Sequence, residues 1–147
     1  MHEDTPYPDP TRGSGHYYLM TRKHHGGGSI TGRVASCWSL TPVEEFRVFD
    51  DGDFHRIVDY QGKIYGVLKV GDELQSIGTW QQEVAIFYPP SPPDRWHGHP
   101  LYPVRGAIAG NLKRQRMQPT KQVMKLLQDA KLITLLQRKR MAKGSHS

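Results

Sequence analysis

Two histidines, His97 and His99, lie one residue apart in the segment WHGHPLYP, between a tryptophan and a tyrosine. Side chains at positions i and i+2 of a β-strand project from the same face, so both imidazoles could bind one metal ion. A metal site needs further ligands, and the chain has no acidic residue between Asp94 and Asp129. Other histidines could contribute only if the fold brought them near: His16, His24, His25 and His55. We therefore predict no metal ion and no cofactor.

The same pair could instead act as acid and base in RNA cleavage that needs no metal. Imidazole titrates near neutral pH, so one histidine could take the proton of a 2′-hydroxyl while the other protonates the leaving oxygen. Arg95 or Arg105 could stabilise the charge of the pentavalent phosphate. A small ribonuclease of the toxin type, using His97 and His99, is therefore an alternative functional hypothesis.

A purely structural role is the third interpretation of this segment, and the one we favour. Trp96 and Tyr102 flank the histidines, and aromatic residues next to prolines commonly fasten a loop onto a sheet. Gly98 and Pro100 would then set the backbone path, and the imidazoles would be solvated or hydrogen-bonded to main chain. Under this interpretation the segment has no catalytic residue.

Two other motifs lack residues that their chemistry requires, and the single cysteine has a structural interpretation. HHGGGS (24–29) could cradle a phosphate with its amides, but it has neither GxGxxG spacing nor a following Lys-Ser/Thr, which favours a flexible loop. DDGD (50–53) could begin a calcium loop, but the twelfth position is Gln61 instead of glutamate, so we predict a hairpin turn. Cys37 lies beside a tryptophan and is typical of a small buried residue.

Charge is distributed unevenly along the chain, which has a net charge of +6. From Pro103 onward there are eleven Lys or Arg and one acid, whereas residues 1–102 hold nine Lys or Arg and thirteen acids. Surface helices usually mix both signs to form i,i+4 pairs, so this imbalance indicates a surface that contacts phosphates. The expected phosphate contacts are Lys113, Arg114, Arg116, Lys121, Lys125, Arg138, Lys139, Arg140 and Lys143.

The charge pattern predicts a non-catalytic accessory module that binds nucleic acid, either DNA or RNA, or a nucleoprotein complex. A second alternative is a protein-interaction module with an acidic protein partner, which could be the acidic front of another copy of the chain. A membrane surface is not expected as partner, because the apolar stripe of the basic segment is needed for the core.

Length and composition predict one domain of the α+β class. The chain has 147 residues, 36% of them hydrophobic and 23% charged. We expect a flexible arm over residues 1–15, a β-rich core over 16–110 with a Pro-rich loop at 89–103, and a basic helical tail over 111–147. With one cysteine, no apolar leader and no apolar run of about 18 residues, the sequence predicts a soluble cytoplasmic protein.

Short β-rich runs in the middle of the chain predict a small antiparallel meander. The intervening motifs DDGD, QG and GD are typical of tight turns. Residues 63–70 carry apolar side chains on both faces, which predicts a central strand. Residues 80–88 could form a helix, but their Val, Ile, Phe and Tyr favour a strand. The other predicted strands cover residues 44–49, 54–60 and 73–78.

The basic tail has the composition of one bent helix or a helical hairpin. Pro119 suits a first helical turn, and Thr134 with Gln137 has the spacing of a capping box. An apolar stripe is predicted to face the core, and it consists of Val123, Leu126, Leu127, Ala130, Ile133 and Leu136.

Overall fold

A computed structural model describes residues 4–21, 24–25, 37–79, 81–90, 95–101 and 119–142. Within these residues the chain has three helices and several short antiparallel strands, so the predicted α+β class is confirmed. The elements, in chain order, are β1 (Thr5–Pro6), β2 (Leu19–Met20), α1 (Pro42–Phe54), β3 (Ile64–Gly66), β4 (Lys69–Val70), β5 (Glu73–Leu74), β6 (Ala85–Tyr88), β7 (His97–Pro100), α2 (Lys121–Asp129) and α3 (Leu135–Ala142).

The main sheet of the described chain is antiparallel, with the strand order β3-β6-β7. The preference for a strand within 80–88 is confirmed by β6, but β6 and not the 63–70 segment is the central strand. The 63–70 segment is divided between β3 and β4, and β4 pairs with β5 through the predicted turn at Gly71-Asp72. Strand β7 forms inside the predicted Pro-rich loop 89–103; as an edge strand it tolerates Pro100.

Residues 42–54 form a helix, so the predictions of a strand at 44–49 and of a hairpin turn at 50–53 are wrong. A complete capping box starts the helix. The Thr41 hydroxyl accepts from the backbone N–H of Glu44 at 3.3 Å, and the Glu44 carboxylate accepts from the backbone N–H of Thr41 at 3.0 Å. Pro42 occupies the first helical turn. Because α1 continues to Phe54, the strand predicted over 54–60 is reduced to one bridge between Val58 and Ile64.

Helix α1 approaches the sheet closely, and two glycines permit the approach. A Cβ atom on Gly66 would lie 2.3 Å from the carbonyl oxygen of Val48, and one on Gly52 would lie 2.3 Å from the carbonyl oxygen of Tyr65. Both are backbone contacts that a side-chain rotation cannot relieve. The helix and β3 are therefore in direct backbone contact.

The two faces of the main sheet are covered by different elements. One face packs on α1 through an aromatic core in which Phe49 lies 5.0 Å from Phe87 and 5.2 Å from Tyr18, measured between ring centroids. The opposite face, which carries Tyr65 and Ile86, packs on α2. Adjacent residues of β6 thus belong to different cores, as expected for a strand covered on both sides.

The C-terminal segment forms two short helices. The Thr120 hydroxyl caps α2 and accepts from the backbone N–H of Val123, so Pro119 precedes the cap instead of lying in the first helical turn. The predicted capping box between Thr134 and Gln137 is present at the start of α3. The predicted apolar stripe is buried at Val123, Leu127 and Ile133, but Leu136 is 77% exposed, because the chain turns between the two helices. The longest described helix, α1, has 13 residues, and none of the described helices could cross a bilayer.

Residues 4–21, which include most of the expected flexible arm, contact α1 and β7. The Thr11 hydroxyl donates to Asp53 at 2.6 Å, and both residues are buried. Arg12 pairs with Asp50 and Asp51, and it also lies over the ring of Phe54. These acidic residues come from the DDGD motif. The helix presents them to the N-terminal segment, which supplies the hydroxyl, guanidinium and amide donors that they need.

Candidate functional site

His97 and His99 project from the same face of the sheet as Tyr88, a residue of the neighbouring strand. The strand register pairs His97 with Tyr88 and His99 with Ile86, so these side chains share the α2 face. The ring centroid of Tyr88 lies 5.8 Å from that of His97 and 5.6 Å from that of His99. All three rings are partly exposed. The sequence spacing implied this placement only if the segment formed a strand, whereas we predicted a Pro-rich loop there.

His99 is fixed by hydrogen bonds at both ring nitrogens. Its Nδ1 lies 2.7 Å from the carbonyl oxygen of Pro100, and its Nε2 lies 3.1 Å from the hydroxyl of Tyr88. A carbonyl oxygen only accepts, so Nδ1 carries the proton, and in the neutral ring Nε2 accepts from Tyr88. The hydrogen bond to main chain agrees with the fastening role favoured from the sequence.

Two further side chains extend this cluster. The ring of His24 stacks on His99 with centroids 4.8 Å apart, and His24 is only 5% exposed. The ammonium group of Lys63 lies 5.3 Å from the centre of the Tyr88 ring, which is a cation–π distance. We call the rings of His24, His99, Tyr88 and His97 the ring row. Tyr88 and Lys63 were not predicted as site residues, since the pairing of β6 with β7 brings Tyr88 to the histidines and the pairing of β3 with β6 brings Lys63 to Tyr88.

The described contacts of Arg95 include no hydrogen bond to the ring row. Its Nη1 donates to the carbonyl oxygen of Tyr7 at 3.0 Å, and its guanidinium lies 5.0 Å from the ring centre of Tyr17. The arginine thus links β7 to the N-terminal segment. Arg105, the other expected charge stabiliser, lies outside the described residues, as does Tyr102.

Several of the basic residues expected to contact phosphates have partners within the protein. Arg140 Nη2 donates to both carboxylate oxygens of Glu83, at 2.7 and 2.9 Å, and so ties α3 to the sheet. Arg138 donates to Gln128 at 2.8 Å, and Lys125 forms an exposed i,i+4 pair with Asp129. Among the described residues, the exposed Lys121 and Lys139 form no ion pair. Four expected contacts lie outside the described residues: Lys113, Arg114, Arg116 and Lys143.

The part of the chain that the structure describes holds no group of three His, Cys, Asp or Glu side chains arranged to bind a metal ion. The four histidines considered as extra ligands are dispersed: His24 stacks on His99, His16 faces Asp53, His25 faces Glu45, and His55 ends α1. Residues 26–29, the glycine-rich part of HHGGGS, lie outside the described residues.

A buried charged network lies beside the ring row. Glu45 of α1 is fully buried and accepts from the hydroxyl of Tyr18 at 2.5 Å. Its other oxygen lies 2.6 Å from Nε2 of His25, whose Nδ1 contacts the carbonyl oxygen of Thr21. The Thr21 carbonyl oxygen only accepts, and so does an ionised Glu45 carboxylate, so this arrangement favours the imidazolium form of His25, in which both ring nitrogens carry protons. This network was not predicted, because Glu45 was expected in a strand.

The charges in this network shift the proton affinity of its members. Burial alone lowers the pKa of His25, but the hydrogen bond and the negative charge of Glu45 outweigh burial and raise it above its usual value. Burial raises the pKa of the Tyr18 hydroxyl, and the Glu45 charge raises it further. Tyr18 therefore remains a neutral donor while His25 carries the compensating charge.

The raised pKa of His25 predicts that stability falls as pH rises above neutrality. The folded protein holds this proton more tightly than the unfolded chain, so the contribution is complete below pH 6.5, the usual histidine pKa. It is lost as pH rises through the higher pKa of the folded state. Urea unfolding from pH 6 to 9 should show this fall in the wild type. The decline should be smaller in His25→Gln; an equal decline in both proteins would contradict the assignment.

Comparisons of the chain with protein-family models, with curated proteins and with solved structures found no match. The fold and the site define a small α+β domain with a row of imidazole and phenol rings on one sheet face. Its function is therefore inferred from the chemistry of these side chains.

Proposed function

We propose that this protein is a non-catalytic module that binds single-stranded nucleic acid, with bases stacking on the ring row and basic side chains contacting phosphates. The observation that carries the proposal is the row itself. Tyr88, His97 and His99 lie side by side, partly exposed, with the Lys63 cation beside them. Tyrosine and histidine rings serve as stacking surfaces for unpaired bases, and cations near them attract the backbone.

The surroundings of the row support a polyanionic ligand. Helix α2 packs on the same face of the sheet, and Tyr88 packs against the core that this helix covers. The exposed Lys121 at the start of α2 and Lys139 on α3 have no described ion-pair partner that would compete with a phosphate. By contrast, Arg140 is held by Glu83 and contributes to the packing of α3. Of the described basic residues, Lys121 and Lys139 are the strongest candidates for phosphate contacts.

Replacing Tyr88 with alanine should weaken the binding of single-stranded RNA or DNA about 10-fold, because a base loses its stacking partner, worth about 1–3 kcal/mol. Fluorescence anisotropy with labelled 12-nucleotide strands, and with a duplex, measures this at 50, 100 and 200 mM salt.

Lys121→Ala and Lys139→Ala should each make the slope of log affinity against log salt concentration shallower by about one, because each variant removes one phosphate contact.

Tyr60→Ala is the matched control, since Tyr60 is an 84% exposed tyrosine outside the row. Its affinity should equal that of the wild type. Absence of binding to every strand at 50 mM salt would refute the proposal. Binding of a polyglutamate probe that Tyr88→Ala leaves unchanged would instead favour the acidic protein partner.

A small ribonuclease is the second candidate, because His97 and His99 share one face of the sheet with Tyr88. Two observations favour binding over catalysis: both nitrogens of His99 are hydrogen-bonded, and Arg95 contacts the N-terminal segment. RNA incubated with the protein in EDTA separates the two functions. Cleavage that His97→Ala and His99→Ala abolish would establish the enzyme, and intact RNA would remove it.

A further inference from the structure

The buried network and the ring row are joined through adjacent residues. His25 is held by Glu45 and by the carbonyl oxygen of Thr21, while the ring of His24 stacks on His99. The backbone carbonyl of His24 also accepts from the N–H of Trp38 at 2.9 Å. The position of the His24 ring thus depends on the contacts that its neighbour His25 and its own backbone carbonyl make.

We propose that Glu45 is a positioning residue for the ring row: by holding protonated His25, it fixes the His24 ring on His99, and loss of the His25 proton loosens this stack. The proposal concerns the geometry of the row. Its consequence for binding rests on the proposed function, under which a loosened row presents a poorer surface to bases.

The hydrogen-bond donors and acceptors explain why one proton decides the arrangement. A neutral imidazole has one N–H and one lone pair, whereas His25 faces two acceptors, the Glu45 carboxylate and the Thr21 carbonyl. Deprotonation therefore sets a lone pair against one of them, in a site where Glu45 is fully buried. An unpaired buried group is unfavourable, so the segment is released from at least one contact.

The charged groups around His25 favour its protonated form. Glu45 of α1 contributes through both its hydrogen bond and its charge, and Asp4 of the N-terminal segment adds a second negative charge. The other oxygen of the Glu45 carboxylate accepts from the neutral Tyr18 hydroxyl. Next along the chain, the His24 ring faces His99. Among the groups described as acting on His25, the charges are thus negative, and the imidazolium is the form that they stabilise.

The test is a pH titration of the full chain labelled with ¹⁵N at histidine, followed by long-range proton–nitrogen spectra from pH 5.5 to 9. In the wild type, we expect the His24 and His99 signals to shift in step with the deprotonation of His25. In Glu45→Gln, the pH midpoint of the His25 titration should move to lower pH. The pH at which the His24 and His99 signals change should move with it. Glu44→Gln is the matched control, since Glu44 is the partly exposed neighbour of Glu45 on the same helix and glutamine preserves its capping bond.

Signals of His24 and His99 that stay constant while His25 titrates would overturn the proposal. If Glu45→Gln does not fold, as judged by near-UV circular dichroism, the wild-type titration alone gives the decision. Affinity for a 12-nucleotide RNA should fall at least 3-fold between pH 6.5 and 8.5 in the wild type and in Glu44→Gln. If the three histidine signals change together but the protein binds no RNA at any pH, the positioning role of Glu45 stands and the proposed function is wrong.

Discussion

Replacing Gly66 with alanine is expected to lower the free energy of unfolding by about 3 kcal/mol, because overpacking against backbone cannot be relieved by a side-chain rotation. The new Cβ would lie 2.3 Å from the carbonyl oxygen of Val48 and 2.9 Å from its Cγ1. Helix α1 would have to move away from β3 and open the aromatic core beneath it. Since small domains are stable by about 5–15 kcal/mol, this loss is large. Urea unfolding followed by fluorescence measures it.

Gly71→Ala is the control for Gly66→Ala. Gly71 has φ of +62° and open space around its Cβ position, so alanine there meets only backbone strain, worth about 1 kcal/mol. The difference between the two variants isolates the cost of the helix–sheet contact. Equal losses in both variants would show that α1 and β3 do not approach as closely as described.

Asp53→Ala is expected to cost about 3 kcal/mol and to release the N-terminal segment. The Asp53 carboxylate is almost completely buried and accepts from the Thr11 hydroxyl at 2.6 Å and from the backbone N–H of Ser14 at 3.0 Å. Thr11 is itself buried, so its hydroxyl loses this acceptor away from water, whereas Ser14 is exposed. Hydrogen exchange measured by mass spectrometry should become faster across residues 4–21, and urea unfolding gives the stability change.

Asp51→Ala provides the comparison for Asp53→Ala. Asp51 is on the same helix turn, but it is more exposed and its described hydrogen bond is to Arg12, whose side chain is half exposed. Its loss should cost no more than about 1 kcal/mol and leave the exchange of residues 4–21 largely unchanged. If both variants behave alike, the buried hydrogen bonds of Asp53 do not anchor the segment.

Local signals in the sequence predicted the fold class, the β6 strand, the Gly71 turn and the α3 capping box. The same kind of signal is present at the start of α1, but the helix was not predicted. Thr41-Pro42 followed by Glu44 is a helix start, yet Phe46, Val48 and Phe49 have strand propensity and suggested a strand. Tertiary packing decides such cases, because these side chains fill the aromatic core from a helix as well as from a strand.

The candidate site was predictable only as far as local spacing reaches. The placement of His97 and His99 on one face follows from strand periodicity. The other members come from elsewhere: Tyr88 joins through the β6–β7 register, and His24 is 75 positions from its stacking partner. Residues so far apart in the sequence form no pattern within a short stretch of chain. The buried role of Glu45 was hidden for the same reason, since its partners Tyr18 and His25 precede it by at least twenty residues.

The hydrogen bond from Arg95 to the Tyr7 carbonyl joins residues 88 positions apart, and this separation has a kinetic consequence. Helix α1 and β3 are neighbours along the chain and can associate early, whereas closing so long a loop is slow and entropically costly. The N-terminal segment should therefore dock after the sheet has formed. Contacts made that late act on the rate of unfolding instead of the rate of folding. We therefore expect the Arg95 contact to lengthen the lifetime of the folded protein without hastening its formation.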